Sequence, residues 1–270
     1  MSGLVRVASI QMVSTPRVEE NLERMRELVS QAAGLGAQVV LLPEYFCLMG
    51  EETDKVKHRE PHGLGQSSPI QSALSEAALA NQIWIIGGTV PLVANEAHRV
   101  RNTTLVYGPD GLERARYDKI HLFAFTKGQE SYDEARTIEP GSTPVVCDTP
   151  AGRTGLSVCY DLRFPELYRA MAPLDMIVMP AAFTYTTGSA HWELLIRSRA
   201  VENQCYVLAS GQGGRHENGR RTWGHSMLVD PWGEVLEVLP EGEGIVVGEV
   251  NPSRLSEIRL NLPALKHRVF

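Results

Sequence analysis

The chain has 270 residues, of which 43% are hydrophobic and 21% charged, enough to bury a sizeable core and without the polar bias of a disordered protein. A net charge of -6 with a pI near 5.8 gives no general attraction to phosphate backbones, so no nucleic acid partner is expected.

In chain order, the first apolar run is Val5–Ile10. Arg6 sits where a signal peptide would continue its apolar stretch, and no run approaches the roughly 18 to 20 residues that span a bilayer. The chain therefore reads as soluble and cytoplasmic, with no membrane partner. Val18, Leu22, Met25, Leu28, Val29 and Ala32 then recur at helical spacing, behind Thr15 as a cap and Pro16 in the first turn. Further short, continuous runs follow at Val39–Leu42, Ile83–Gly87, Thr103–Tyr107, Leu156–Val158, Met176–Met179, Cys205–Ala209, Met227–Val229 and Ile245–Val250, the pattern of strands buried on both faces. The polar segment Glu51–Gly65 reads as a solvated loop or short helix. A helix is expected from about Ala190 to Asn203, with Ser189 as its cap and Gly188 breaking the chain before it. Strands alternating with helices imply an α/β fold. With no linker or fixed repeat, residues 1–270 read as one domain.

Chemistry concentrates at three strand ends. Around Cys159 the order is strand (GLSV), turn (CYDLRF) and helix, with Pro165 opening PELYRAM. A thiol at such a turn projects from the sheet end, and the positive end of the following helix favours thiolate. The competing reading is a small buried hydrophobe, which is the reading given to Cys47, Cys147 and Cys205. The four cysteines are widely spaced without a CxxC pair, so disulfides and a zinc site explain them poorly. VVLLPEYF places Glu44 after a proline, and ARYDKIHLF places Lys119 beside an apolar stretch. A carboxylate can serve a thiol as general base, and an ammonium can stabilise an oxyanion. A structural ion pair is the alternative for both. A Cys–His pair would draw on His121, His191 or His225, none in a suitable local signature. His121 is read as a satisfied structural histidine, and Arg163 with Glu166 as an ion pair fixing the turn.

LLPEYF, YDKIHLF and CYDLRFPELYR together resemble the three signature segments of the nitrilase superfamily, and the likeness runs from the first strand to NLPALKHRVF. That resemblance implies a four-layer α-β-β-α sandwich, a catalytic triad of Glu44, Lys119 and Cys159, and amide-bond hydrolysis needing neither metal nor organic cofactor. It also implies a second glutamate, matching Glu134 ahead of its neighbours Glu130 and Glu139. The backbone N–H of Tyr160 joins Lys119 as the implied oxyanion hole, Phe183, Thr184 and Thr187 become substrate neighbours, and a homodimer is implied.

Within the superfamily, CYDLRFPELYR, AHWELLIRSRAVENQCYV and WGHSMLVDPWGEVL most resemble amidases of the deaminated glutathione and omega-amidase types. The expected partner is thus a small-molecule amide, with deaminated glutathione ahead of 2-oxoglutaramate, and a nitrile hydrolase or a non-catalytic binding scaffold behind both. The Gly-rich segment GGRHENGRR carries Arg215, Arg220, Arg221 and His216. If it reaches the pocket, Arg215 is the expected partner for a substrate carboxylate.

Overall fold

Strands that are apolar on both faces need cover on both, and the computed structural model, which describes residues 3–128 and 130–269, supplies it as four layers. The first half contains β1 (Val5–Gln11), α1 (Val18–Gly34), β2 (Val39–Leu41), α2 (Glu52–Lys57), α3 (Pro69–Asn81) and β3 (Trp84–Ile86). Then come β4 (Val90–Val93), β5 (Val100–Tyr107), β6 (Glu113–Asp118) and a hairpin of β7 (Ala124–Lys127) and β8 (Glu130–Asp133). The second half contains β9 (Val146–Thr149), β10 (Gly152–Leu156), α4 (Pro165–Met171), β11 (Met176–Ala181) and α5 (Tyr185–Asn203). It continues through β12 (Tyr206–Gly211), β13 (Ser226–Val229), β14 (Val235–Leu239), β15 (Gly244–Val250) and α6 (Pro252–Asn261).

One sheet has the order β15-β1-β2-β3-β5-β4 with β6 also paired to β5, and the other the order β14-β13-β12-β11-β10-β9. Each has a parallel centre, β1-β2-β3 and β10-β11-β12, with antiparallel flanks. Alternation along the strands assigns the layers. Val7, Val39 and Leu41 face the second sheet in one core. Ala8, Ile10, Val40 and Leu42 face α1 and α3 in another, meeting Leu22, Met25, Val29 and Leu74. The sheets are also joined by hydrogen bonds, Ser9 Oγ donating to the Ala209 carbonyl at 2.7 Å and Ser210 Oγ to that of Ile10. β15 crosses back to lie antiparallel beside β1, so the chain's last strand closes its first sheet.

Several local expectations shift. The α5 helix starts at Tyr185, five residues before the predicted Ala190, because Thr184 is its cap and accepts from the Thr187 N–H. Gly188 lies inside that helix. A Cβ there would fall 2.3 Å from Cβ of Trp223, so glycine serves close packing rather than termination. The α1 helix starts at Val18, with Thr15 Oγ1 accepting from the Arg17 N–H. Charged or exposed edge strands such as β6 and β14 were not legible as apolar runs. Phe270, the last residue of the C-terminal tail, lies outside the described residues.

The segment expected to be solvated contains two buried charges, Lys55 and Glu60. Glu60 accepts from the N–H groups of Ile70 and Gln71 at 2.5 and 3.1 Å and from Gln71 Nε2 at 2.9 Å. Ser68, the residue before α3, makes no side-chain cap, so the carboxylate of Glu60, earlier in the chain, fills that place at the positive helix end. Glu60→Ala should lower stability by about 1.5–3 kcal/mol, the worth of charge-assisted bonds left unmade. Urea unfolding checks this, and a loss below about 0.5 kcal/mol would leave the cap without energetic weight.

Candidate active site

Glu44 follows β2, Lys119 follows β6, and Cys159 follows β10, so the carboxyl ends of the parallel strands β2 and β10, with that of the antiparallel β6, converge, the usual place for a site in an open α/β sheet. The approach to Glu44 depends on Gly88, whose φ is +49° and where a Cβ would lie 2.1 Å from the Pro43 carbonyl oxygen. Only glycine permits that contact.

The centre is an ammonium between two carboxylates. Lys119 Nζ lies 2.9 Å from Oε1 of Glu44, and 2.9 and 2.7 Å from the two oxygens of Glu134. The side chains of Lys119 and Glu44 are 0% and 1% exposed. Every carboxylate oxygen has a donor. Glu44 accepts from Asn102 Nδ2 and the Ala182 N–H, both at 2.9 Å. Glu134 accepts from the Tyr45 hydroxyl at 2.8 Å and the Phe123 N–H at 2.7 Å. Burial opposes the lysine's charge, but Glu134 and Glu44 outweigh it and hold the ammonium well above the usual lysine range. Burial likewise works to raise Glu134, and Lys119, helped by Lys55, overrides it and keeps the carboxyl below its usual range.

Cys159 adopts φ +51°, a left-handed conformation in a non-glycine residue and a strained one. Asp161 fixes the turn around it. Its oxygens accept from the Val158 N–H at 2.8 Å, the Tyr117 hydroxyl at 2.6 Å and the His121 N–H at 3.0 Å, with His121 Nδ1 at 2.7 Å. His121 also stacks on Phe164 at 3.7 Å, which accords with a structural histidine. The expected Arg163–Glu166 pair is absent among the described residues. Arg163 instead meets His191 Nδ1 at 3.3 Å and lies over the rings of Phe183 and Tyr160, 5.4 and 5.8 Å away. The thiol also departs from expectation. Burial pushes it well above its ordinary range, Glu44 adds to this, and Lys119 offsets only part.

Cys159 opens on a cavity of about 10 Å³ with Phe123, Tyr160, Arg163, Phe183, Thr184 and Thr187 around it. Of the five residues expected on the substrate side, Tyr160, Phe183, Thr184 and Thr187 line it. Arg215 does not; it is exposed, and the arginine of its loop that lines a cavity is Arg220. Cys47, Cys147 and Cys205 are buried free thiols. Among the described residues no group of three His, Cys, Asp or Glu side chains is arranged to hold a metal ion, and no helix is long and apolar enough to cross a membrane.

Sequence reasoning missed Tyr45, Asn102 and Lys55. Asn102 sits among Arg101, Thr103 and Thr104 in β5, just before the run Thr103–Tyr107, so nothing local marks its carboxamide as buried. Tyr45 had no signal either. Strand alternation would turn it away from Glu44, but its φ of +57° directs its hydroxyl to Glu134, while Lys55 Nζ lies 4.2 Å from its ring centre.

The carbon–nitrogen hydrolase pattern matches residues 6–260. A deaminated glutathione amidase from Synechocystis sp. is 41% identical over 269 residues, covering 97% of each chain. Human omega-amidase NIT2 is 38% identical over 274 residues, covering 97% of this chain and 94% of its own. Among solved structures, yeast Nit3, described as a member of branch 10 of the nitrilase superfamily, superimposes with a TM-score of 0.90 at 31% identity, covering 100% of this chain and 98% of its own. The NitFhit protein of C. elegans gives 0.90 at 34%, covering 99% of this chain and 66% of that one. The chain belongs to the carbon–nitrogen hydrolase family.

Proposed function

We propose that residues 1–270 act as a single cysteine-dependent amidase domain, with Cys159 as nucleophile, Glu44 as general base and then acid, Lys119 as electrostatic stabiliser and Glu134 as the group that positions Lys119. The observation that carries this reading is the buried Glu44–Lys119–Glu134 cluster behind a strained cysteine that opens on a cavity. A raised thiol pKa means that the proton must leave as the bond forms. Glu44 takes it while sulfur attacks the amide carbon. The oxyanion then meets Lys119 and the Tyr160 N–H. An ammonium has three N–H groups; with one on Glu44 and one shared by the oxygens of Glu134, the third is available. Glu44 returns the proton to the departing amine as the C–N bond breaks, leaving a thioester. Water, deprotonated by Glu44, attacks the thioester, and the proton passes back to sulfur as acid and free thiol separate.

The favoured substrate is deaminated glutathione, with 2-oxoglutaramate second. Relatives named for each activity match at similar identity, and Arg163 at the mouth of the Cys159 cavity suits the keto-acid carboxylate common to both. The same reading makes the protein a cytoplasmic homodimer. Its support is the set of free buried cysteines and the exposed Leu260 and Val269 in the C-terminal segment. Light scattering should give twice the 29.8 kDa chain mass; a monomer at working concentration contradicts the dimer.

Cys159→Ala should remove turnover with the fold intact, whereas Cys205→Ala should keep it; ammonia or amine release measures both, and an active Cys159 variant would rule out the nucleophile. Lys119→Met should abolish activity and cost about 3–5 kcal/mol, because it strands two buried carboxylates. The sign with pH follows from the shifts. A depressed Glu134 contributes stability above the usual carboxylate range, lost as pH falls through its lowered value. Without Lys119, burial favours the protonated acid, so the variant's deficit in urea should be smaller at pH 5 than at pH 8. An equal deficit at both would contradict the assignment. For the substrate, kcat/KM should favour deaminated glutathione over 2-oxoglutaramate, and Arg163→Ala should weaken both by about tenfold, the loss of one charge-assisted pair. A preference for 2-oxoglutaramate would reverse the ranking.

A further inference from the structure

The cavity beside Cys159, about 10 Å³, has room for about one water. A second cavity of about 380 Å³ shares Phe123 with it and is walled by Glu134, Glu52, Tyr132, Arg136 and Arg220. Phe123 thus separates the nucleophile's small chamber from a larger one, while its backbone N–H is bound to Glu134. An amide with a substantial amine portion needs more space than the small chamber gives.

The larger chamber has a definite charge pattern. Glu52 holds Lys55 at 2.8 Å and Thr137 at 3.0 Å. Asp133 holds Arg136 at 3.3 Å and the Ala135 N–H. Glu134 holds Lys119. Each acid on this wall already has a cation. Arg220 differs: its guanidinium lies 5.2 Å from the Tyr132 ring centre, its Nε is buried without a hydrogen-bond partner, and among the described residues no carboxylate forms a salt bridge with it, Glu52 favouring its charge only from a distance. A buried guanidinium N–H without an acceptor is costly, and a carboxylate is the ligand whose geometry matches its fork.

The loop holding Arg220 is fixed. His216 bonds the Ser14 carbonyl at 3.0 Å and Thr222 Oγ1 at 2.8 Å. Asn218 reaches the Gly50 carbonyl at 2.9 Å and accepts from the Arg220 N–H at 3.1 Å. The other arginines of the loop are otherwise engaged or outside: Arg221 pairs with Glu241 at 2.7 Å, and Arg215 is exposed.

We infer that the chamber beyond Phe123 is a subsite for the amine half of the substrate, and that Arg220 recognises a carboxylate at the far end of that half. This rests on the amidase reading of Cys159. It divides recognition between two cations, Arg163 for the acyl side and Arg220 for the leaving side. A dipeptide leaving group with a free terminal carboxylate fits the subsite, whereas ammonia leaves it empty.

The test compares cysteinylglycine with cysteinylglycinamide, which differ only in that carboxylate. Titration calorimetry with the full chain should show the acid binding about tenfold more tightly, and Arg220→Met should bring the ratio close to one. Arg220→Lys, which keeps charge but loses the fork, should recover only part of it. Equal binding of the two ligands by the unaltered protein overturns the subsite, and needs no variant to fold; so does an unchanged ratio in folded Arg220→Met. Kinetics separate this from the substrate reading. If the protein fails to cleave deaminated glutathione yet discriminates the two dipeptides through Arg220, the proposed substrate falls and the subsite stands. If it cleaves deaminated glutathione and its glycinamide form with equal KM, the subsite falls and the amidase reading stands.

Discussion

The ammonium of Lys119, shut away from water between Glu44 and Glu134, is the constraint to which the rest of the structure conforms. Taking three charges into a protein interior costs several kcal/mol for each ion, and their attraction offsets that only when geometry is close and every remaining lone pair is satisfied. Here the satisfaction comes from distant chain positions. Asn102 lies on β5, Ala182 follows β11, Tyr45 follows Glu44, and Phe123 precedes the β7–β8 hairpin. Both sheets and the hairpin must be in place together before the cluster is stable. The same cluster that demands this precision has a net charge of -1, two carboxylates against one ammonium, so it resists a further anion beside it.

That resistance explains the state of Cys159. A thiolate would add a second uncompensated negative charge to a dry site, and burial and Glu44 together hold the proton on sulfur. On the proposed amidase reading, Cys159 is made reactive by position. The left-handed turn, pinned through Asp161 to Val158, Tyr117 and His121, would keep Cys159 where a neighbouring carboxylate takes its proton at the moment of attack. The strain at φ +51° is carried by the bonds to Asp161 rather than relieved.

Much of this was legible in the sequence because the relevant signals are local. Continuous apolar runs marked β1, β2, β11 and β15, and ionisable residues at the ends of such runs marked Glu44, Lys119 and Cys159. What was not legible depends on contacts between segments far apart in the chain. Nothing near Glu60 says that it caps a helix beginning at Pro69. Nothing near Arg163 separates an ion pair with Glu166 from a place over Phe183. Gly188 looked like a helix breaker because local propensity is blind to Trp223, which occupies the space a side chain would need. In the basic loop, composition pointed to Arg215, while the fold turns Arg220 inward.

On the proposed reading, the arrangement of cations around the cluster is what lets a negatively charged centre accept an anionic substrate. The charge of Lys119 is already outweighed by its two glutamates, so its remaining N–H can serve an oxyanion but a carboxylate elsewhere on a ligand needs another cation. Those charges have to be met at a distance, by arginines whose partners are rings or a histidine rather than acids: Arg163 with Phe183, Tyr160 and His191, and Arg220 with Tyr132. An arginine packed on aromatic faces keeps its charge and its planar fork while its stem is held. It is thus already oriented when a carboxylate arrives, and less conformational entropy is lost on binding. With Arg163 lining one cavity and Arg220 another that shares Phe123, the proposed subsites would hold the two ends of a substrate apart and leave its amide beside Cys159.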